Sequence, residues 1–102
     1  MSYTDIPATV MTTDVYESWF NRLRDARAAK RIVERIYRLA HGNPGRYRAL
    51  SGGVCEMKID YGPGYRVYYI WRGAMLIVLL CAGDKRTQNA DIRLAERLAT
   101  EI

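Results

Sequence analysis

The sequence has little of several features that would assign a function class at once. Its two cysteines and one histidine are too few and too scattered for a zinc knuckle or a disulfide scaffold. The longest apolar run, residues 74–82, is far too short to span a bilayer. The first ten residues lack the charged start and apolar centre of a signal peptide. We therefore expect one cytoplasmic domain covering residues 1–102, without a metal, a cofactor or a membrane partner.

Acidic residues are also in the minority. Sixteen Lys and Arg residues stand against eleven Asp and Glu residues, which gives a formal net charge of +5 at pH 7. A surface of this kind favours a polyanion or an acidic protein as partner, although solvated charge without any target is compatible with the same composition. Since 49% of the 102 residues are hydrophobic, the chain is long enough and apolar enough to fold around a core.

Hydrophobic periodicity predicts an α+β domain with the order β-α-α-β-β-β-α. Residues 8–13 read as a short edge strand, and Asp14 as the cap of a helix that ends near Leu23. A second helix begins at Ala26 and stops before Gly42, and Thr87 caps a third. The run at residues 74–82 is apolar on both faces, which predicts an interior strand. The buried stripe of the second helix is predicted to contain Ala29, Ile32, Val33, Ile36, Tyr37 and Ala40, with Arg35 facing water.

The most informative stretch is residues 55–69, in which two alternating runs flank Gly62-Pro63-Gly64. This pattern predicts a β-hairpin, because glycine supplies positive φ angles and proline fixes φ in the turn. With a three-residue loop, Tyr61 would lie opposite Tyr65, and Asp60 would form an ion pair with Arg66.

One face of this hairpin would be apolar, and the other would carry Lys58, Arg66 and Tyr68. A planar guanidinium such as that of Arg66 can bind two phosphate oxygens at once, and Lys58 adds a point charge. Glu56 is the one carboxylate on this face placed to act as a base. Cross-strand charges on an exposed sheet are ordinarily solvated pairs of small energetic value, so the pattern alone leaves both interpretations open.

Several separated motifs give the chain a specific family resemblance. They are Trp19, Leu23-Arg24-Asp25, Arg31-Ile32, Gly42-Asn43-Pro44-Gly45, the hairpin itself, and Gly83-Asp84-Lys85-Arg86-Thr87-Gln88 with Asp91-Ile92. With these motifs in this order, the chain resembles the RelE/ParE superfamily of bacterial type II toxins, in particular the HigB-like branch of addiction-module killer proteins. The resemblance implies a small twisted, mainly antiparallel sheet with a helical hairpin on one face and the last helix near its edge.

The resemblance also implies an activity, namely metal-independent cleavage of messenger RNA, usually on the translating ribosome. Matched position by position, the catalytic residues would be Lys58, Arg66, Lys85 and Tyr68, and the RNA-binding residues Arg48, Arg66 and Lys85. The chain lacks the C-terminal Tyr or His of the best-studied members that cleave mRNA, so the general acid and base are not assigned by the resemblance. His41 lies at a helix end across the fold from the hairpin and is not a candidate.

The resemblance implies a partner as well. A toxin of this kind is silenced by an antitoxin, expected to be a helix-turn-helix protein encoded beside it, through which the toxin would reach operator DNA. Two other functions suit the same fold: a ParE-like protein that binds gyrase without chemistry of its own, and a degenerate toxin that only binds its antitoxin as a co-repressor. The cluster of cations on the hairpin favours the nuclease.

Overall fold

A computed structural model describes residues 6–102, which form three helices and a five-stranded sheet. Residues 1–5, which belong to the predicted domain and to the segment without signal-peptide features, lie outside the described residues. The α+β class is confirmed, and the predicted order lacked one strand. The elements are β1 (Thr9–Thr12), α1 (Asp14–Asn21), α2 (Ala26–Ala40), β2 (Tyr47–Ala49), β3 (Val54–Ile59), β4 (Tyr65–Arg72), β5 (Leu76–Gly83) and α3 (Gln88–Thr100).

The strands are arranged in the order β1-β5-β4-β3-β2. β1 pairs with β5 in parallel, and every other neighbouring pair is antiparallel. The edge position of the first strand and the interior position of the apolar strand are both confirmed. The strand absent from the prediction is β2, which pairs with β3; its three residues are all exposed and show no alternation.

The hairpin of β3 and β4 has a five-residue loop, residues 60–64, rather than a three-residue one. Lys58 lies opposite Arg66, and Glu56 lies opposite Tyr68, so the predicted register was wrong by two residues. A shift of two residues leaves every side chain on its original face of the sheet. The predicted polar and apolar faces are therefore retained, although the cross-strand pairs change.

Helices cover both faces of the sheet. On one face, α1 and α2 pack through Tyr16, Ile32 and Leu39 against a core that includes Met57 and Val67. The two helices on one face match the prediction.

The opposite face of the sheet is covered by α3. Its Ala95 and Ala99 are buried against Tyr68, Ile70 and Leu80, so the expectation of a last helix at the sheet edge was wrong. Because α3 covers Tyr68 and Ile70, only the part of the polar hairpin face nearest the loop stays open.

A β-bulge lies where β5 passes under α3. Tyr68 is opposite Cys81 and Tyr69 is opposite Leu79, which leaves Leu80 as the extra residue on β5. Leu80 and Cys81 consequently both contribute to the core beneath α3. The bulge thus reverses which residues of β5 point to each face of the sheet, just before the strand reaches the open end of the polar face.

The helix boundaries differ from the prediction by one or two residues. The cap of α1 is Thr13 rather than Asp14, because the Thr13 hydroxyl accepts a hydrogen bond from the Tyr16 backbone N–H at 3.1 Å. The apolar run that forms β5 begins to pair at Leu76 rather than at residue 74, after a turn of residues 73–75.

None of the helices in the described part of the chain has the length and apolarity needed to cross a membrane.

The buried stripe of α2 was predicted only in part. Ile32 is buried and Ala29, Ile36 and Ala40 are half-buried, as predicted, whereas Val33 and Tyr37 are 53% and 65% exposed. Ala28 and Leu39, which the prediction left out, are buried as well. The prediction that Arg35 faces water was also wrong, because its guanidinium lies under the sheet edge and binds backbone carbonyls.

Candidate nucleic-acid interface

A groove of about 440 Å³ opens at the uncovered end of the polar face. β2 forms one wall and the start of α3 forms another, while β3 and β4 form the floor. Four of the seven lining residues are cationic, and one is acidic. The lining residues are Arg46, Tyr47, Arg48, Glu56, Lys58, Arg66 and Gln88. A concave surface with this balance of charge suits an anion such as a phosphodiester.

Arg66 is the central cation of the groove. Its side chain is only 6% exposed, yet no carboxylate pairs with it among residues 6–102. One N–H donates to the Gly64 carbonyl at 2.8 Å, and the buried Nε has no acceptor within the described chain. A guanidinium carries five N–H donors, and residues 6–102 supply an acceptor for one of them. A buried guanidinium with donors that lack protein partners has the capacity to bind an anion.

Lys58 lies directly opposite Arg66 in the hairpin ladder. Like charges at directly opposite positions destabilise an antiparallel pair, so this arrangement has an energetic cost unless an anion lies between them. The Lys58 ammonium is 3.5 Å from an Asp60 carboxylate oxygen. Asp60 therefore partly neutralises Lys58, whereas Arg66 has no carboxylate partner among residues 6–102.

Asp60 does not pair with Arg66, so the predicted ion pair was wrong. Its carboxylate instead binds the Arg46 guanidinium at 3.0 Å. The Arg46 hydrogen bond is the main cause that lowers the pKa of Asp60. Burial opposes it, and the charges of Arg46 and Lys58 add to the lowering. The five-residue loop explains the change of partner, because it moves Asp60 out of the ladder and beside Arg46.

Glu56 forms the floor of the groove and accepts three hydrogen bonds. Arg48 Nε donates to it at 2.7 Å, the Tyr68 hydroxyl at 2.9 Å and the Gln88 amide at 3.0 Å. Burial opposes ionisation, but these three donors outweigh it and lower the pKa of Glu56. A carboxylate that is ionised and fully engaged is a weak proton acceptor. Its clear effect is to hold Arg48 at the rim.

Tyr68 is buried and does not line the groove. Burial, followed by the hydrogen bond to Glu56, raises the pKa of Tyr68 far above its usual range, so the phenol is neutral. Its hydroxyl is committed to Glu56. In this geometry Tyr68 contacts the groove through the Glu56 carboxylate rather than directly.

Two comparisons with known proteins place this chain in a family. Residues 18–100 match the family described as "Phage derived protein Gp49-like (DUF891)". A Haemophilus influenzae (strain ATCC 51907 / DSM 11121 / KW20 / Rd) protein named "Uncharacterized protein" is 43% identical over 93 residues, which cover 91% of this chain and 94% of that protein. The chain belongs to the Gp49-like family. This family is of the RelE type, a class of toxins in toxin–antitoxin systems, which implies an antitoxin partner.

The Gp49-like chain brings three of the five predicted site residues together. Arg48, Lys58 and Arg66 all line the groove. Lys85 does not line it: this exposed residue begins a 3₁₀ turn that follows β5, close to Gly83, the ladder partner of Arg66. His41 lies at the end of α2, where its ring packs on Tyr37 with centroids 4.2 Å apart, and it does not line the groove.

Three lining residues of the groove were missed from the sequence: Arg46, Tyr47 and Gln88. Arg46 and Arg48 are two residues apart, which is the spacing that places side chains on one face of a strand, but the strand itself was not predicted. Gln88 was interpreted only as the start of the last helix. Its contact with Glu56 spans 32 residues of sequence and has no local signature.

Arg35 supports the groove from the opposite face of the sheet. Its guanidinium donates to the carbonyls of Lys58 at 2.7 Å, Pro44 at 3.1 Å and Arg46 at 3.2 Å. Gly45 permits this approach, because a Cβ there would come within 2.8 Å of the guanidinium. Arg35 therefore fixes the backbone that carries two of the groove cations in the Gp49-like fold.

Proposed function

We propose that this chain is a cytoplasmic toxin of the HigB-like branch that cleaves messenger RNA without a metal ion, during translation. One observation carries the proposal: the buried Arg66 guanidinium keeps most of its donors free in a groove shared with Arg46, Arg48 and Lys58. The other three cations share only two carboxylates, Glu56 and Asp60, and Arg66 pairs with none among residues 6–102. This excess of positive charge favours binding of a polyanion over a structural role.

The proposed reaction is internal transesterification of RNA. The ribose 2′-oxygen forms a bond to the adjacent phosphorus while the bond to the 5′-oxygen breaks, which yields a 2′,3′-cyclic phosphate and a 5′-hydroxyl. The proton leaves the 2′-hydroxyl and one is delivered to the 5′-oxygen, so no oxidant or cofactor takes part. Arg66 and Lys58 would bind the non-bridging oxygens, where negative charge builds up in the transition state.

The remaining predicted site residues receive supporting roles in this proposal. Arg48, fixed by Glu56, would bind a flanking phosphate, and Lys85 would contact the RNA from outside the groove. Tyr68 would act on the reaction only through Glu56, as a positioning residue. Alignment of the 2′-oxygen and stabilisation of charge are therefore the contributions that these side chains make to the rate.

The partners follow from the same proposal. The antitoxin would be a helix-turn-helix protein that silences the toxin and carries it to operator DNA, and the ribosome would present the mRNA. Neither the ribosome nor DNA is needed for the groove to recognise a phosphodiester.

Controlled expression with genome-wide mapping of RNA 5′ ends tests the proposal. We expect growth arrest and new 5′-hydroxyl ends inside coding sequences. Arg66→Gln should lower cleavage at least about 100-fold, the loss that follows removal of one donor to a developing oxyanion. Arg66→Lys should remain strongly impaired, because lysine keeps the charge but loses the planar fork.

Arg93→Gln is the matched control, since Arg93 is an exposed arginine of α3 that does not line the groove. It should cut RNA like the unaltered chain, and cleavage of purified free RNA by the unaltered chain should persist in EDTA. Growth arrest with intact transcripts and trapped gyrase–DNA complexes would contradict the nuclease proposal and would show instead that the chain poisons gyrase. Cleavage restored only by magnesium would contradict the metal-independent mechanism.

A further inference from the structure

A second surface of the molecule has no role in the proposed reaction. It is the outer face of α2, which carries an apolar pair among cations. Val33 and Tyr37 are one helical turn apart and 53% and 65% exposed, although neighbouring Ile32 is fully buried. The α2 outer face consists of Arg27, Lys30, Arg31, Val33, Glu34, Tyr37 and Arg38.

The charge of this face is strongly one-sided. α2 contains five basic residues and one acidic residue, and only Arg35 among the basic ones turns inward. Within residues 6–102, none of the four outward cations forms a salt bridge. Arg31 alone is otherwise engaged, over the Tyr61 ring at 4.9 Å from its centroid. The face therefore presents unneutralised positive charge around an apolar centre.

The composition of the face favours a protein over RNA. Val33 and Tyr37 line a shallow depression of about 410 Å³ with Glu34 and Arg38. An aliphatic side chain such as Val33 gains nothing from a phosphate backbone, and the Glu34 carboxylate would repel one. One side of the Tyr37 ring is already covered by His41, which leaves less of it for a base.

We propose that the α2 outer face binds an acidic, amphipathic segment of the antitoxin. Apolar side chains of that segment would cover Val33 and Tyr37, while its carboxylates would pair with Lys30 and Arg38. This pattern is the one by which an amphipathic segment docks on a helical surface, with complementary charge around an apolar anchor. The inference rests on the proposed toxin function, because its partner is the protein that silences the toxin.

A larger apolar groove elsewhere fits this partner less well. About 630 Å³ in volume, it lies between β1 and the end of α3, with Met11 and Ile102 exposed in its lining. Its rim carries the carboxylates of Asp14 and Glu101, which would repel an acidic segment. Its one cation, Arg72, is held by the carbonyls of Ala99 and Ile102. Charge complementarity therefore selects the α2 outer face.

The test measures binding of the antitoxin encoded beside this gene, by calorimetry with the purified full-length chains. Two double variants change the face: Val33→Ser with Tyr37→Ser, and Lys30→Glu with Arg38→Glu. Each should raise the Kd at least about tenfold, as loss of an interface anchor does. In cells both variants should still arrest growth but should no longer be rescued by the antitoxin.

The matched control is Arg93→Glu with Arg97→Glu, which changes the net charge equally on exposed positions of α3. It should bind the antitoxin like the unaltered chain, and thermal unfolding should show that every variant is folded.

Unchanged affinity in both α2 variants would overturn the proposal, as would loss of binding confined to Met11→Glu with Ile102→Glu. Loss of RNA binding with intact antitoxin binding would identify the α2 outer face as an RNA surface instead. If the chain binds its antitoxin on the α2 outer face but never arrests growth, the proposed toxin function is contradicted and the proposed docking surface stands.

Discussion

At the scale of single residues, Glu56 shows how one buried carboxylate organises a cationic site. Its two oxygens receive donors from three separate elements: Arg48 on β2, Tyr68 on β4 and Gln88 at the start of α3. The network is fully satisfied only while Glu56 is ionised, because an ionised carboxylate accepts hydrogen bonds and donates none.

We predict that Glu56→Gln destabilises the fold by about 1–3 kcal/mol at pH 7, the usual cost of losing hydrogen bonds to a buried charge. Glutamine replaces one acceptor with an NH₂ group, which places a donor against the Tyr68 hydroxyl or the Gln88 amide. The free energy of unfolding, measured in urea for both chains, checks this. Glu34→Gln, an exposed change on α2, should stay within about 0.5 kcal/mol of the unaltered chain.

The stability difference should also depend on pH in a defined direction. Folding lowers the pKa of Glu56, so the side chain makes its full contribution to the free energy of unfolding above its unfolded-state pKa of about 4.3. This contribution is lost as the pH falls through the lower pKa of the folded state. The gap between the unaltered chain and Glu56→Gln should therefore be constant from pH 5 to 7 and should narrow in more acidic buffer. A gap that widened on acidification would show that Glu56 is protonated in the fold.

At the scale of secondary structure, Arg35 joins α2 to β3 and to the segment just before β2. Its three hydrogen bonds to carbonyls hold the chain on both sides of the groove rim. The sequence pattern missed this contact for a physical reason. Hydrophobic periodicity treats each arginine as outward, whereas a long side chain can pass under a sheet edge and donate to the carbonyls there.

We predict that Arg35→Gln costs about 1.5–3 kcal/mol of stability, since its lost bonds came from a charged donor. RNA binding should weaken as well, because the backbone that presents Lys58 and Arg46 loses its support. Arg35→Lys should recover only part of both losses, since an ammonium cannot span three carbonyls in the plane of a guanidinium. Urea unfolding and affinity for an uncleavable RNA are the measurements.

Arg27→Gln provides the comparison, since Arg27 is an exposed arginine on the same helix. It should leave stability within about 0.5 kcal/mol and RNA affinity nearly unchanged. If Arg35→Gln lost stability but bound RNA normally, its role would be structural only.

The extent of prediction from sequence also belongs to this scale. The start of α2, the edge and interior strands and the two faces of the hairpin were predictable, because each depends on local periodicity and turn residues. The loop length, the bulge at Leu80 and the strand β2 were not, because each depends on pairing with a distant strand. The site followed the same division: Lys58 and Arg66 lie within one hairpin, whereas Gln88 reaches the groove only through the packing of α3.

At the scale of the whole molecule, the net charge of +5 is divided between two surfaces. The groove cations are partly neutralised by Glu56 and Asp60, which leaves a formal charge near +2. The α2 outer face adds four cations and one carboxylate. If the groove alone binds RNA, the remaining charge is free for the antitoxin.

The salt dependence of RNA affinity measures this division. Single-stranded binding weakens with a slope of about −0.7 in log K against log salt for each phosphate neutralised, so a groove of net charge near +2 predicts about −1.4. A short RNA with 2′-O-methyl groups resists cleavage and suits the titration. Lys30→Glu with Arg38→Glu should leave the slope unchanged, whereas Arg66→Gln should reduce it by about 0.7. A slope near −3.5 that became shallower in Lys30→Glu with Arg38→Glu would mean that RNA occupies both surfaces. The substrate site and the antitoxin site would then not be separate.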